Sequence, residues 1–245
     1  MIMFLFVEDL SLMEEAKELV DFTQHLTLVT QPPHGALIYL RLDSNGLAVI
    51  SNNFSPVYIT EIYAKLMIRT KRLSSELLIQ AVKLNQGVDI VVWDLTAGLG
   101  KDALLISGLG YHVTMVEQNP VLATILHYAL LHNILPPDNL SLVYANSLDF
   151  LSVTGTRPHI IYLDPMFKDK KSAKAKKDMQ IIQAISHAST MEQEQDLFNV
   201  CVTRALNKVV VKRENKQASL VIKPKPSYIR LGNTIRYDIY TITTK

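Results

Sequence analysis

Four consecutive residues, Asp164-Pro165-Met166-Phe167, carry the most specific chemistry in the sequence. They follow Ile160–Leu163, an apolar run typical of a buried strand. The carboxylate of Asp164 and the carbonyl group of Pro165 can accept the hydrogens of an exocyclic amine, which aims its lone pair at a methyl donor. Proline fixes the backbone there, and Phe167 can stack on a flipped-out base. The motif predicts methyl transfer to an amine; a plain strand-ending turn with a core phenylalanine is the equal alternative.

A second candidate site is the stretch Val91–Asp102, in which an apolar run ends in an acid and two glycines follow. Its candidate cofactor-binding residues are Asp94, Gly98, Gly100, Lys101 and Asp102. Glycine has no Cβ and lets the backbone approach a ligand closely, and the helix behind the glycines offers free N–H groups. The stretch therefore predicts a cradle for a nucleotide cofactor. Glycine that only serves the packing of a tight turn is about as common, so this motif alone decides nothing.

The next predicted strand, residues 112–117, also ends in an acid. The stretch His112–Val116 leads to Glu117, which lies 17 residues after Gly100. A carboxylate in this place can accept hydrogen bonds from both hydroxyls of a ribose. The other polar strand ends are Gln118, beside Glu117, and Asn146-Ser147, after the run Leu140–Tyr144. Since ligands of open α/β sheets lie outside the carboxyl ends of the strands, this convergence favours a ligand crevice over unrelated surface turns. We expect an adenosine-containing cofactor there, with its ribose on Glu117.

Positive charge is concentrated near the Asp164 motif. Residues 168–177 contain six lysines, and residues 160–245 hold 16 basic against 8 acidic residues, whereas residues 1–159 hold 9 against 15. A basic half on a chain of net charge +2 favours a polyanionic partner, although a solvated lysine surface explains the composition equally well. The six lysines directly follow Phe167, the residue predicted to stack on a base, and this position favours contacts with phosphates. The predicted RNA-binding residues are Lys168, Lys170, Lys171, Lys174, Lys212 and Arg213.

Composition narrows the class of protein. At 245 residues, 48% of them apolar, the chain can bury one large domain, alone or with a small appendage. Its single cysteine, Cys201, excludes an internal disulfide and a cysteine-based metal site, and favours a reducing cytoplasmic location. The histidine spacings do not suit metal ligands, so we expect no metal. The apolar start, Met1–Val7, is short and has no basic leader, so we expect a strand there and no secretory signal or membrane span.

The order of elements predicts two regions. Residues 1–60 have the pattern of a small α/β appendage, with a hairpin turn at Asp43–Gly46. In residues 61–245, short apolar strands alternate with helices, which is typical of a mostly parallel, Rossmann-like sheet covered on both faces. We expect seven strands, closed by an antiparallel pair formed by Ser219–Lys223 and Thr234–Thr243. By analogy of fold, such a hairpin is more typical of class I methyltransferases than of nucleotide-dependent dehydrogenases.

Several motifs together resemble one family, the ribosomal RNA small subunit methyltransferase J family. They are Asp94-Leu95-Thr96-Ala97-Gly98-Leu99-Gly100-Lys101-Asp102-Ala103, Glu117-Gln118-Asn119-Pro120, Tyr162-Leu163-Asp164-Pro165-Met166-Phe167, Val210-Val211-Lys212-Arg213 and Arg236-Tyr237-Asp238-Ile239-Tyr240. The likeness runs from about residue 36 to the C-terminus. It is specific, because Asp164–Phe167 together with Arg236–Tyr240 is not a general methyltransferase pattern. The chain departs from the family at Lys101 and Gln118, where arginine is common, and at Lys168, where proline is usual.

The resemblance implies an S-adenosylmethionine (SAM)-dependent enzyme of the class I fold. It implies methylation of the N2 amine of a guanine in 16S ribosomal RNA, with the RNA or the small ribosomal subunit as partner. Family cofactor positions fall on Lys101-Asp102, Glu117-Gln118, Asn146-Ser147 and Asp164. The amine-facing residues of the motif, Asp164, Pro165 and Phe167, would then be the catalytic ones.

Two other functions compete with this one. A dinucleotide-dependent oxidoreductase could use Gly98-Leu99-Gly100 with Ala103 as the third small residue, but it leaves Asp164–Phe167 and the lysine run without a purpose. A non-catalytic RNA-binding protein of the same fold would keep all the motifs, and an activity assay separates it from the enzyme.

Overall fold

The structure, a computed structural model, describes residues 3–85, 89–136, 138–165, 185, 190–221 and 223–243. The strands in these ranges are β1 (Met3–Val7), β2 (Leu26–Val29), β3 (Ile38–Asp43), β4 (Gly46–Ser51), β5 (Phe54–Tyr58), β6 (Val91–Asp94), β7 (His112–Glu117), β8 (Leu140–Tyr144), β9 (Ile160–Leu163), β10 (Lys208–Glu214), β11 (Tyr228–Leu231) and β12 (Ile235–Thr241). The helices are α1 (Met13–Thr23), α2 (Ile59–Arg69), α3 (Leu77–Val82), α4 (Lys101–Ser107), α5 (Pro120–Leu131), α6 (Ser147–Val153) and α7 (Met191–Arg204).

The larger sheet has seven strands in the order β11-β12-β10-β9-β6-β7-β8. Strands β6 to β10 pair in parallel, and β12 runs antiparallel to both β10 and β11. Helices lie between successive parallel strands, as apolar strands buried on both faces require. The prediction of a mostly parallel seven-stranded sheet closed by an antiparallel hairpin is confirmed.

One strand of that hairpin was predicted in the wrong place. The partner of β12 is β11, and Ser219–Val221 is not a strand. Leu220 and Val221 are apolar because they pack into the core beside α7, and Nε2 of Gln195 donates to the carbonyl oxygen of Leu220 at 3.0 Å. Pro224 and Pro226 cannot donate to a strand ladder, so pairing begins only after them.

The smaller sheet has the order β2-β1-β3-β4-β5, with β1 parallel to β2 and β3. The predicted hairpin at Asp43–Gly46 joins β3 to β4, and Oδ1 of Asp43 accepts a hydrogen bond from the backbone N–H of Asn45 at 2.8 Å. A continuous apolar cluster includes Leu40 of this sheet and Val92 of the larger one. The two sheets thus share one apolar core, and the division of the chain into two regions at residue 60 stays a prediction.

The two faces of the larger sheet bury different apolar clusters, because side chains alternate along each strand. On β10, Val210 belongs to the cluster under α2 to α5, whereas Val209 and Val211 belong to the cluster under α6 and α7. This packing on both faces holds the carboxyl edge of β6, β7, β9 and β10, which we call the rim. In the described ranges, no helix has the length and apolarity needed to cross a bilayer.

Lys208 ties the start of β10 to the end of α3. Its ammonium is buried and donates to the carbonyl oxygens of Ala81 at 2.7 Å and Lys83 at 2.9 Å. We expect Lys208→Met to lower the free energy of unfolding by about 1–3 kcal/mol, because buried carbonyl groups lose their donor. Urea denaturation measures this loss, with Lys216→Met, an exposed lysine, as the control.

The same lysine should make stability depend on pH. Burial lowers the pKa of Lys208 to about 8 from 10.5. Between pH 8 and pH 10.5, Lys208 is protonated more often in the unfolded chain than in the folded protein. The contribution of this lysine to the free energy of unfolding therefore rises as the pH increases. The difference in unfolding free energy between the wild type and Lys208→Met should thus be larger at pH 10 than at pH 7. An equal difference at both pH values would contradict the assignment.

Candidate active site

The ends of β6 and β9 are tied together by hydrogen bonds. Asp94, the last residue of β6, is 1% exposed, and its Oδ1 accepts from the backbone N–H of Thr96 at 3.1 Å. The hydroxyl of Thr96 in turn accepts from the backbone N–H of Asp164 at 2.6 Å. The structure thus brings the glycine-containing stretch and the Asp164 motif to one place on the rim. Pro165, which follows Asp164, is buried.

Four carboxyl groups from different elements converge on this rim. Burial raises the pKa of Asp94 well above its ordinary value, and the charges of Asp102, Asp164 and Glu117 raise it further, against one hydrogen bond from Thr96. These acids come from β6, α4, the end of β9 and the end of β7. Four acidic side chains from distant parts of the sequence are therefore close enough to affect one another's titration.

Glu117 anchors the glycine turn. Its Oε2 accepts from the backbone N–H of Gly98 and its Oε1 from that of Asn119, both at 2.7 Å. Burial raises the pKa of Glu117 to about 7, against the backbone hydrogen bonds that stabilise the carboxylate. The sequence predicted a ribose acceptor here, and the bond to Gly98, 19 residues away, was not foreseen.

The two glycines of the turn have different surroundings. Both have positive φ, +58° at Gly98 and +65° at Gly100. A Cβ on Gly98 would have its nearest neighbour 3.9 Å away, whereas a Cβ on Gly100 would lie 2.7 Å from Cδ2 of Leu126 and 2.9 Å from Sδ of Met115. Gly98 therefore borders open space, and Gly100 lies against the core.

A tyrosine that the sequence did not single out supports this turn. The side chain of Tyr63, on α2, is 1% exposed, and its hydroxyl donates to the carbonyl oxygen of Leu99 at 2.8 Å. No local signal separates this tyrosine from an ordinary core residue of an apolar helix face.

Asp102 lies in the first turn of α4, after the half-buried Lys101. Its Oδ2 accepts from the hydroxyl of Tyr162 at 2.6 Å and from the ammonium of Lys212 at 2.7 Å. Burial alone would raise the pKa of Asp102, but the charge and hydrogen bond of Lys212 and the bond from Tyr162 outweigh it, and the pKa is lowered. Asp102 is thus an anion at neutral pH.

Lys212 and Arg213 were predicted to contact RNA, and the structure gives both of them internal partners. The ammonium of Lys212 donates to Asp102 and, at 2.8 Å, to Oδ2 of Asp164. Arg213 is 3% exposed, and its Nε and Nη2 donate to the carbonyl oxygen of Ala218 at 3.1 and 2.8 Å. To reach a phosphate, either side chain would have to break these hydrogen bonds, and the RNA contact of both residues stays a prediction.

The remaining predicted cofactor residues lie at the ends of β7 and β8. Nδ2 of Asn146 donates to Oε1 of Gln118 at 2.8 Å, and both side chains are exposed. Oδ1 of Asn146 also caps α6. The hydroxyl of Ser147 donates to the carbonyl oxygen of Leu95 at 2.5 Å, which joins α6 to the end of β6. The predicted residues Phe167, Lys168, Lys170, Lys171 and Lys174 lie outside the described residues.

Comparison with known proteins places the chain in a family. Residues 21–242 match the model of the family described as "Putative SAM-dependent methyltransferase". This chain belongs to that family. The methyltransferase also has the fold of a solved SAM-dependent methyltransferase from Neisseria gonorrhoeae, with a TM-score of 0.68, 22% identity, and coverage of 97% of this chain and 95% of that chain. The predicted fold class and the predicted cofactor, SAM, are confirmed.

Curated relatives agree with the family named from the motifs. The methyltransferase is 35% identical over 175 residues to ribosomal RNA small subunit methyltransferase J of Pseudomonas aeruginosa, a match that covers 68% of this chain and 66% of that protein. It is 34% identical over 174 residues to the protein of the same name from Buchnera aphidicola, with 68% and 69% covered. The match thus spans just under two thirds of the Pseudomonas protein and slightly more of the Buchnera protein, and the resemblance to this family is confirmed.

Proposed function

We propose that the methyltransferase transfers a methyl group from SAM to the N2 amine of a guanine in 16S ribosomal RNA. The observation that carries the proposal is the position of Asp164. Its side chain is 39% exposed, against 19% for Asp102, and its Oδ2 is held by Lys212 at 2.8 Å. Asp164 is therefore both fixed and accessible, as an acceptor for an incoming amine must be.

The residues at the rim fit SAM. Glu117 offers a carboxylate for the ribose hydroxyls, and Gly98, which donates to Glu117, borders open space. Gln118 follows Glu117 in the chain, and both Gln118 and its partner Asn146 are exposed. We infer that Asp94, Gly98, Gly100, Lys101, Asp102, Glu117, Gln118, Asn146, Ser147 and Asp164 form the cofactor site, with Gly100 acting through the shape of the turn.

The chain's own residues would then orient and deprotonate the amine. Bound SAM supplies an electrophilic methyl group. Asp164 and the carbonyl group of Pro165 accept the two hydrogens of the amine, so that the nitrogen lone pair points toward the cofactor. When the nitrogen–carbon bond forms, the nitrogen loses a proton, which the Asp164 carboxylate can accept and pass to water. Phe167 is proposed to stack on the guanine, and Lys168, Lys170, Lys171 and Lys174 to contact phosphates.

A labelled-methyl assay tests the function. Purified protein, labelled SAM and small ribosomal subunits or 16S ribosomal RNA from cells lacking the gene should yield labelled N2-methylguanosine on nuclease digestion and mass analysis. RNA binding without methyl transfer would favour the non-catalytic protein. The dehydrogenase alternative is not favoured, because the family is one of methyltransferases. A ribosomal substrate also supports a cytoplasmic location.

The role of Glu117 predicts how SAM affinity depends on pH. Because ribose hydroxyls donate to the ionised carboxylate, protonation competes with binding, and the pKa of Glu117 is about 7. The Kd for SAM should rise as the pH falls below 7, by up to about tenfold per pH unit. Calorimetry at pH 6, 7 and 8 measures it.

Glu117→Gln is the control for this pH dependence. It should bind SAM more weakly and lack the component of the pH dependence that belongs to Glu117, while keeping any that arises from SAM itself. Identical pH profiles for the two proteins would contradict the role of Glu117.

A further inference from the structure

The strand register places Lys212 beside Asp164. Leu163, the last residue of β9, pairs with Val211 of β10. The next residues along these parallel strands, Asp164 and Lys212, are therefore neighbours at the rim. Tyr237 of β12 pairs with Lys212 on its other side. Backbone pairing with β12 thus fixes the base of the Lys212 side chain, one residue beyond the last pair between β10 and β9.

One ammonium joins the cofactor side of the site to the amine side. The Nζ of Lys212 lies 2.7 Å from Oδ2 of Asp102 and 2.8 Å from Oδ2 of Asp164, and its side chain is 22% exposed. Asp102 belongs to the predicted cofactor site, and Asp164 is the predicted amine acceptor. Without the cation, these two neighbouring carboxylates would repel each other, and one would tend to take up a proton.

The titratable groups around Lys212 come from several elements. They are Asp102 on α4, Asp164 and Tyr162 at β9, Tyr237 on β12, and the pair Arg69 and Glu76, which lies near Asp102. Burial alone would lower the pKa of Lys212, but Asp164 and Asp102 hold it well above its ordinary value. Lys212 is therefore cationic at neutral pH.

We propose that Lys212 is a positioning residue that fixes the Asp164 carboxylate for the amine and couples it to Asp102. This proposal rests on the proposed methyl transfer. It gives Lys212 a different role from the RNA contact that the sequence predicts. A residue that acts through Asp164 affects the reaction step, whereas a phosphate contact affects RNA affinity and its dependence on salt. Kinetics can separate these two roles.

Steady-state kinetics of Lys212→Met test the proposal. We expect kcat to fall about 10²-fold or more, as for the loss of a preorganised charge. KM for ribosomal RNA should stay within about threefold, and the salt dependence of KM should not change. A raised KM with unchanged kcat and a salt slope smaller by about one would instead show a phosphate contact and overturn the proposal. Lys216→Met, an exposed lysine beyond the same strand, is the control.

Lys212→Arg provides a second test that does not depend on the folding of Lys212→Met. Arginine binds phosphate at least as well as lysine, so a phosphate contact predicts unchanged kcat and KM. A positioning role predicts a loss in kcat of about tenfold, because a planar guanidinium moves the charge relative to both carboxylates.

A titration without RNA or SAM separates failure of this proposal from failure of the proposed function. In protein with ¹³C-labelled aspartate carboxyl groups, assigned with Asp102→Asn and Asp164→Asn, loss of the Lys212 charge should raise the midpoint of at least one aspartate by about one pH unit or more. Lys212→Arg should keep both midpoints low. Unchanged aspartate midpoints in Lys212→Met would overturn the proposal even if the wild-type protein methylates ribosomal RNA. Raised midpoints would support the coupling of Asp102 and Asp164 by Lys212 even if the wild-type protein does not methylate that RNA.

Discussion

Asp164→Asn is expected to lower kcat for ribosomal RNA methylation about 10²–10³-fold, which is the loss typical of one preorganised electrostatic contact. Asparagine has the same shape but carries no charge, so it orients the amine poorly and cannot accept its proton. Affinity for SAM should change by less than about tenfold, because the ribose acceptor Glu117 is untouched. The measurements are single-turnover methylation for the reaction step and calorimetry for SAM binding.

Asp196→Asn is a matched control for this substitution, since Asp196 is an exposed acid on α7. It should leave both kcat and SAM affinity unchanged. Single-turnover rates of Asp164→Asn within about threefold of the wild type would remove Asp164 from the mechanism.

The same variant connects Asp164 to Lys212. If Lys212 acts through the Asp164 carboxylate, Lys212→Met should cost much less in the Asp164→Asn background than in the wild type. The two losses in activation free energy would then be strongly non-additive. Additive losses would mean that the two residues act independently, which the shared hydrogen bond of 2.8 Å argues against.

The sheet could be predicted because its strands are short, apolar and bounded by clear turn residues. The bounds of β7 and β8 match those expected from the sequence, since both strands are enclosed by polar or turn-forming residues. The early strand β5 was missed, because Phe54–Tyr58 contains a proline and follows a short polar turn. Pairing partners such as β11 were also missed, because pairing depends on contacts between distant residues.

The site was predicted at the level of strand ends but not of side-chain partners. Lys212 lies in a basic segment, and charge counts alone suggest an RNA contact. The alternation along β10 directs Val209, Val211 and Arg213 to one face and Lys212 to the other, where Asp102 lies. The two residues of that ion pair are 110 positions apart, so only the folded sheet reveals it. Residues near each other in sequence gave the better predictions.

Substitution of Gly98 and of Gly100 by alanine should affect different properties, SAM affinity for Gly98 and stability for Gly100. Gly100→Ala is expected to lower the free energy of unfolding by about 2–5 kcal/mol. A positive φ costs a non-glycine residue roughly 1–2 kcal/mol, and the Cβ would press on Leu126 and Met115 at 2.7 and 2.9 Å, an overpacking that costs about 1–3 kcal/mol more. Gly110→Ala isolates the first cost, because its φ is +80° and no atom lies within 4 Å of the added Cβ.

Gly98→Ala should resemble Gly110→Ala in stability and differ from it in SAM binding. Its φ of +58° carries the same backbone cost, and its Cβ would meet no close protein atom. If SAM lies in the open space beside Gly98, that Cβ should raise the Kd for SAM by about tenfold or more, equivalent to about 1.4 kcal/mol. Thermal unfolding and calorimetry on Gly98→Ala and Gly110→Ala measure both quantities. Unchanged SAM affinity in Gly98→Ala would mean that both glycines serve the turn alone, and that Glu117 binds the ribose without a close backbone approach.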